Sequence, residues 1–117
     1  MKKKKDEAFV GYNFTMNYEV DEKQWRKNRP LATGVLAYFP DALLEVAHTS
    51  WVGNQQHNPG QPLHWAREKS TDQLDAALRH ITDHLKGNVM DTDGCYHLAK
   101  AIWRLSAELQ IIKENEK

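Results

Sequence analysis

The chain has 117 residues and a mass of 13.6 kDa, enough for one compact unit and too little for two independent hydrophobic cores. Its 16 basic and 16 acidic residues cancel, which excludes the uniformly basic face of a duplex nucleic-acid binder. The balance hides an asymmetry, because setting aside the run Lys2 to Lys5 leaves 12 basic against 16 acidic residues, a body of net charge −4 behind a basic leader.

No segment approaches the roughly 18 uninterrupted apolar residues of a membrane span, and Asp6 and Glu7 follow the lysines where a signal peptide would turn apolar. The expectation is a cytoplasmic protein with no membrane partner. The single cysteine, Cys95, closes no intrachain disulfide and cannot build a cysteine-rich zinc site. Four tryptophans and six histidines are many for this length and are the first candidates for functional residues.

Residues 1–8 read as a solvated basic leader. From Val10 to Val20 apolar side chains occupy every second position (Val10, Tyr12, Phe14, Met16, Tyr18, Val20), which predicts a β-strand over about 9–20 with one buried face. A lone strand leaves its backbone unsatisfied. It pairs either with a second extended stretch at 34–39, as a hairpin arm within 9–39, or with its own copy from a second subunit, which predicts a homodimer.

The period then changes. Pro40 and Asp41 suit a first helical turn, and Leu43, Leu44, Ala47 and Trp51 recur at helical spacing before Gly53, giving a helix over about 41–52. Residues 53–69, rich in Gly, Asn and Pro, read as a long loop that carries His57, His64 and Trp65. Ser70 and Gln73 have capping-box spacing, and Leu74, Ala77, Leu78, Ile81 and Leu85 make an apolar stripe that stops at Lys86 and Gly87, a helix over about 71–86. A turn with Asp91 and Asp93 leads to a last helix over about 95–113, with the stripe Leu98, Ala99, Ile102, Leu105, Leu109 and Ile112. The tail 114–117 should fray. The fold class is therefore mainly α: a small domain of three principal helices within 40–113, with an N-terminal β-strand arm or hairpin, and dimerising.

Several residues have the chemistry for a site. His80 and His84 stand at i, i+4, a spacing that can hold a divalent metal, although Ile81 follows His80 where a zincin helix needs Glu. Asp75 and Arg79 also stand at i, i+4, and more simply form a surface ion pair. Glu45 and His48 lie one turn apart beside the stripe of their helix. On the last helix His97, Lys100, Arg104 and Glu108 make a polar side opposite the stripe, with His97 in the first turn, where free N–H groups can meet an anion. Trp65, next to His64 in a polar loop, is placed to stack on a base with His57 or His64 beside it, while Trp51 and Trp103 read as core or core-edge residues.

A wider pattern joins these segments: Arg29-Pro30-Leu31, Pro40-Asp41-Ala42-Leu43-Leu44-Glu45-Val46-Ala47, Gly53, Trp65, Leu74-Asp75-Ala76-Ala77-Leu78-Arg79-His80, Asp91, and Gly94-Cys95-Tyr96-His97-Leu98-Ala99. Over roughly residues 29–110 the chain resembles the phage and bacterial dATP/dGTP diphosphohydrolase N-terminal domain family, which looks like a relative of the all-α MazG-type nucleoside triphosphate pyrophosphatases. The resemblance implies a helical nucleotide-binding cleft assembled by dimerisation, Mg²⁺ held by carboxylates in active relatives, and, for a phage-encoded chain, the host cytoplasm. By position Glu45, Arg79, His80, Asp91 and His97 match the family pattern. The MazG-type Glu-x-x-Glu is replaced by Glu45-Val46-Ala47-His48, the second acidic pair by Asp72-Gln73-Leu74-Asp75, and the Gly-x-x-Lys-Tyr stretch by Gly53-Asn54-Gln55-Gln56-His57.

Three functions remain open at this point. In the first, a purine deoxynucleoside triphosphate is hydrolysed to the monophosphate and pyrophosphate, with Glu45 and Asp75 catalytic, Glu45, Asp72 and Asp75 holding Mg²⁺, and Trp51, His57, Trp65, Arg79, His80, His97 and Arg104 binding the nucleotide. In the second, the weakened carboxylate motif leaves an inactive protein that sequesters a nucleotide or cyclic nucleotide, an anti-defence sponge. In the third, the chain is a helical protein-interaction module whose strand edge recruits another chain.

Overall fold

The computed structural model describes residues 21–116, so the expected leader and the strand over 9–20 lie outside the described residues. The chain divides into two units, Met1–Tyr38 and Phe39–Lys117. Among the described residues there are helices and no strand, and no helix is long and apolar enough to cross a membrane.

In the first unit, α1 spans Glu22–Lys27. Asp21 caps it, with Oδ1 accepting from the Gln24 backbone N–H at 2.8 Å, which satisfies one of the donors a helix start leaves free. The Arg29 guanidinium lies 3.8 Å from the centre of the Trp25 ring and donates to the Trp25 carbonyl, holding the chain against the helix it has just left. The stretch expected as a strand over 34–39 is instead a π-helical turn, Ala32–Leu36, closed by the Ala37 N–H on the Ala32 carbonyl at 2.8 Å. A short apolar run such as Val35-Leu36 fits helix and strand alike, and here its backbone hydrogen bonds close locally.

The second unit consists of α2 (Pro40–His57), α3 (Gln73–Leu85) and α4 (His97–Asn115). Both α2 and α3 pack on α4, and not on each other. Gly53 does not end α2, which runs one turn further than its sequence suggests. The buried Asn54 explains the extension: its Nδ2 donates to the Gln61 carbonyl at 2.8 Å and folds the following loop back on the helix. The turn Asn58 to Gln61 that makes this possible has Gly60 at φ +78°, a backbone conformation that strains any residue with a Cβ.

The start of α3 also differs from expectation. Its N-cap is Asp72, with no side-chain capping bond, so Ser70 and Gln73 do not form a capping box; their side chains face Arg104 of α4. Its end is a Schellman closure: Gly87 N–H donates to the His84 carbonyl and Asn88 N–H to the Asp83 carbonyl, with Gly87 at φ +97°.

The buried residues of α3 and α4 match the expected stripes only at Ala77 and Ala99. Ala76, Ala77, Ala99, Ala101, Ala107 and Cys95 are buried, whereas Leu74, Leu78 and Leu85 on α3 and Leu98, Ile102, Leu105, Leu109 and Ile112 on α4 are exposed. Alanines let two helices approach closely, and the large side chains are left in rows on their outer faces. In the same way His97, Lys100 and Arg104, expected on the outer polar side of α4, turn inward: His97 is buried, and the other two are half-buried.

Candidate functional site

The loop between α3 and α4 assembles the site. Asp91 N–H donates to the Cys95 carbonyl at 2.8 Å, His97 N–H to the Val89 carbonyl at 3.0 Å, and Met90 and Tyr96 form an isolated antiparallel bridge. Gly94, at φ +84°, permits the reversal. Side chains complete it, with Asp91 Oδ1 accepting from Thr92 N–H at 2.7 Å and Asp93 Oδ1 from Cys95 N–H at 3.1 Å.

This narrow closure aims two carboxylates at α4. Lys100 Nζ lies 2.6 Å from Asp91 Oδ2 and 2.7 Å from Asp93 Oδ2, all three groups largely withdrawn from solvent. Gln56, near the end of α2, reaches Asp93 Oδ2 at 3.4 Å. The Lys100 hydrogen bond holds the Asp91 carboxyl down at about 2. Burial pushes Asp93 up, but Lys100 and the Cys95 N–H outweigh it and its carboxyl also sits low. For Lys100 itself burial favours the neutral amine, and the two carboxylates reverse that, raising it.

Beside this triad two imidazoles meet. His80, in the middle of α3, and His97, the first residue of α4, place their Nδ1 atoms 2.9 Å apart, with ring centres at 5.1 Å. One ring donates and the other accepts. Burial, followed by Lys100 and His97, pushes His80 below the ordinary imidazole range, which suits it as acceptor. Further along the same seam Arg104 donates to Gln73 Oε1 at 3.1 Å and to Ser70 Oγ at 3.3 Å. His97, Lys100 and Arg104 share one face because they stand at i, i+3 and i+7.

The other residues singled out from the sequence are more dispersed. Asp72 is paired with Arg79 at 3.1 Å on the surface, and the Arg79 hydrogen bond lowers its carboxyl. Asp75 and Arg79 line an open groove together with Leu78, Thr82, Asp83 and Lys86. Glu45 is half-buried on α2, a helix that does not touch α3, so Glu45, Asp72 and Asp75 are not gathered into one ligand set. Trp51 is exposed and stacks on His48 at 6.1 Å with 13° between planes. Trp65 meets the Trp103 ring edge-on at 5.8 Å and carries the Arg67 guanidinium 4.3 Å from its centre. His57 closes α2 and is exposed, and His84, the i+4 neighbour of His80, has a buried Nδ1 without a hydrogen-bond partner among the described residues.

Asp93, Gln73 and Ser70 were not singled out for the site by sequence reasoning, though Gly94 between Asp93 and Cys95 signals the tight turn that presents the first of them. The model of the family described as dATP/dGTP diphosphohydrolase, N-terminal, matches residues 19–117, and the chain belongs to that family. No curated protein and no solved structure matches the chain.

Proposed function

We propose that the protein hydrolyses a purine deoxynucleoside triphosphate to the monophosphate and pyrophosphate. Its membership of the dATP/dGTP diphosphohydrolase N-terminal family carries this reading. The α3–α4 seam supports it, because His80, His97, Lys100 and Arg104 are drawn together there beside two carboxylates. In the reaction water attacks the α-phosphorus, the bond from that phosphorus to the oxygen bridging to the β-phosphate breaks, and pyrophosphate leaves with its charge needing cationic partners. Arg104 on the seam, which meets only neutral oxygens, and Arg79 on the open groove of α3 are the groups for that role. The exposed ring of Trp51 is available to a base.

Mg²⁺ accompanies a triphosphate and prefers oxygen ligands. Glu45, Asp72 and Asp75 are not collected around one point, and Asp72 is already held by Arg79, so no step is assigned to a protein-held Mg²⁺. The row Leu98, Ile102, Leu105, Leu109 and Ile112 is exposed and follows alternating spacings of four and three, which supports assembly as a homodimer through α4.

Incubation of purified protein with dATP, dGTP, dCTP and dTTP in Mg²⁺ or Mn²⁺, followed by pyrophosphate detection, tests the activity. Turnover of the two purine nucleotides is expected, with a loss of at least about tenfold in Arg104→Ala, in line with removal of a charge-stabilising donor. Tight binding of nucleotide with no product across the panel would overturn hydrolysis. Sedimentation of Leu105→Lys against the parent protein tests the dimer.

A further inference from the structure

We propose that His80 Nδ1, His97 Nδ1 and one carboxylate oxygen of Asp91 bind a single divalent transition-metal ion of the zinc, cobalt or manganese class, in preference to Mg²⁺. The three ligand atoms lie within 4.8 Å of one another and come from three separate parts of the unit, the middle of α3, the α3–α4 loop and the start of α4. Each is fixed by the backbone that carries it. The Met90–Tyr96 bridge and the Asp91 N–H to Cys95 bond set Asp91, and the His97 N–H to Val89 bond sets His97.

Two imidazoles presenting the same ring nitrogen to each other at 2.9 Å are held together by one shared proton, and a metal ion can take that proton's place. With metal–nitrogen bonds of about 2.0–2.1 Å in tetrahedral geometry the two nitrogens stand roughly 3.3 Å apart, so the rings need part by only a few tenths of an ångström. Two nitrogens and one oxygen form a borderline donor set that suits zinc, cobalt or manganese, whereas Mg²⁺ demands six oxygens in a near-ideal octahedron.

The surroundings also fit an ion. Asp91 Oδ1 accepts from Thr92 N–H and Oδ2 from Lys100, the kind of outer support that orients a ligating carboxylate. Two carboxylates face one ammonium here, leaving a local negative charge for a dication. With three protein ligands, at least one coordination position stays open to water or to a phosphate oxygen.

The test needs no nucleotide, so it stands or falls apart from the hydrolytic reading. Chelator-treated full-length protein is titrated with Zn²⁺ by calorimetry and with Co²⁺ by its ligand-field absorption, each with and without excess Mg²⁺. The expected result is one ion per chain that Mg²⁺ does not displace, affinity lowered at least about tenfold in His80→Ala and in Asp91→Asn, and affinity unchanged in His84→Ala. His97→Ala is expected to behave like His80→Ala; should this buried position not tolerate the change, the other two variants carry the test. Absence of Zn²⁺ and Co²⁺ binding, displacement by Mg²⁺, undiminished binding in His80→Ala and Asp91→Asn, or equal loss in His84→Ala would each overturn the site.

Discussion

The two flanks of α4 are held by different chemistry. Towards α2 Trp103 makes a neutral contact, its Nε1 donating to Ser50 Oγ at 2.6 Å. Towards α3 and its loop they are ionic and titratable, with Lys100 between two carboxylates and His80 against His97. A neutral hydrogen bond survives changes of pH and salt. A half-buried charge cluster does not, and it is the flank on which ligands and protons can act.

The largest effect separating the flanks is expected from Lys100→Met, which leaves Asp91 and Asp93 facing each other without a cation. Removing one partner from such a cluster should cost about 3 kcal/mol, read as a lower urea midpoint. If stability is unchanged, the ionic flank contributes little and the contrast fails.

Acid should act on the same flank next. The folded Asp91 carboxyl is depressed to about 2 from its ordinary 3.8, so on acidification protons bind the unfolded chain first. The contribution of this group is whole above about pH 4 and is lost as pH falls towards 2, a loss of roughly 1–2 kcal/mol after allowance for solvent screening. Unfolding curves across that interval should show the step in the parent protein and a smaller one in Lys100→Met.

Trp103→Phe probes the neutral flank and should have the smallest effect. It removes the bond to Ser50 while keeping most of the ring, costing about 1 kcal/mol, with the same cost at pH 4 and pH 7. A pH-dependent cost would mean that the two flanks are coupled through α4.

The chain's linear order made the helical class, the C-terminal end of α3 before Gly87 and the family pattern legible, because glycine punctuation, helical periodicity and short motifs are local properties. His80, Asp91 and His97 could each be singled out from that pattern, and Lys100 could be placed on one helix face with His97. Their meeting could not be read, since periodicity ranks faces by the size of apolar side chains. That ranking pointed Leu74, Leu78, Leu98 and Ile102 inward together with Ala77 and Ala99, yet these large side chains are exposed and the buried positions are Ala76, Ala77, Ala99 and Ala101. The 34–39 segment failed for a related reason, because a short apolar run does not reveal whether its hydrogen bonds close locally or across strands.

Local signals along the chain thus carry the family, the helical elements of the second unit and the residue types available for chemistry. Which side of each helix faces inward emerges from packing, and with it the joining of His80 to His97 and of Lys100 to Asp91 and Asp93. Close approach of α3 and α4 depends on small side chains, and polar groups beside buried alanines become interior ones that must find partners in each other.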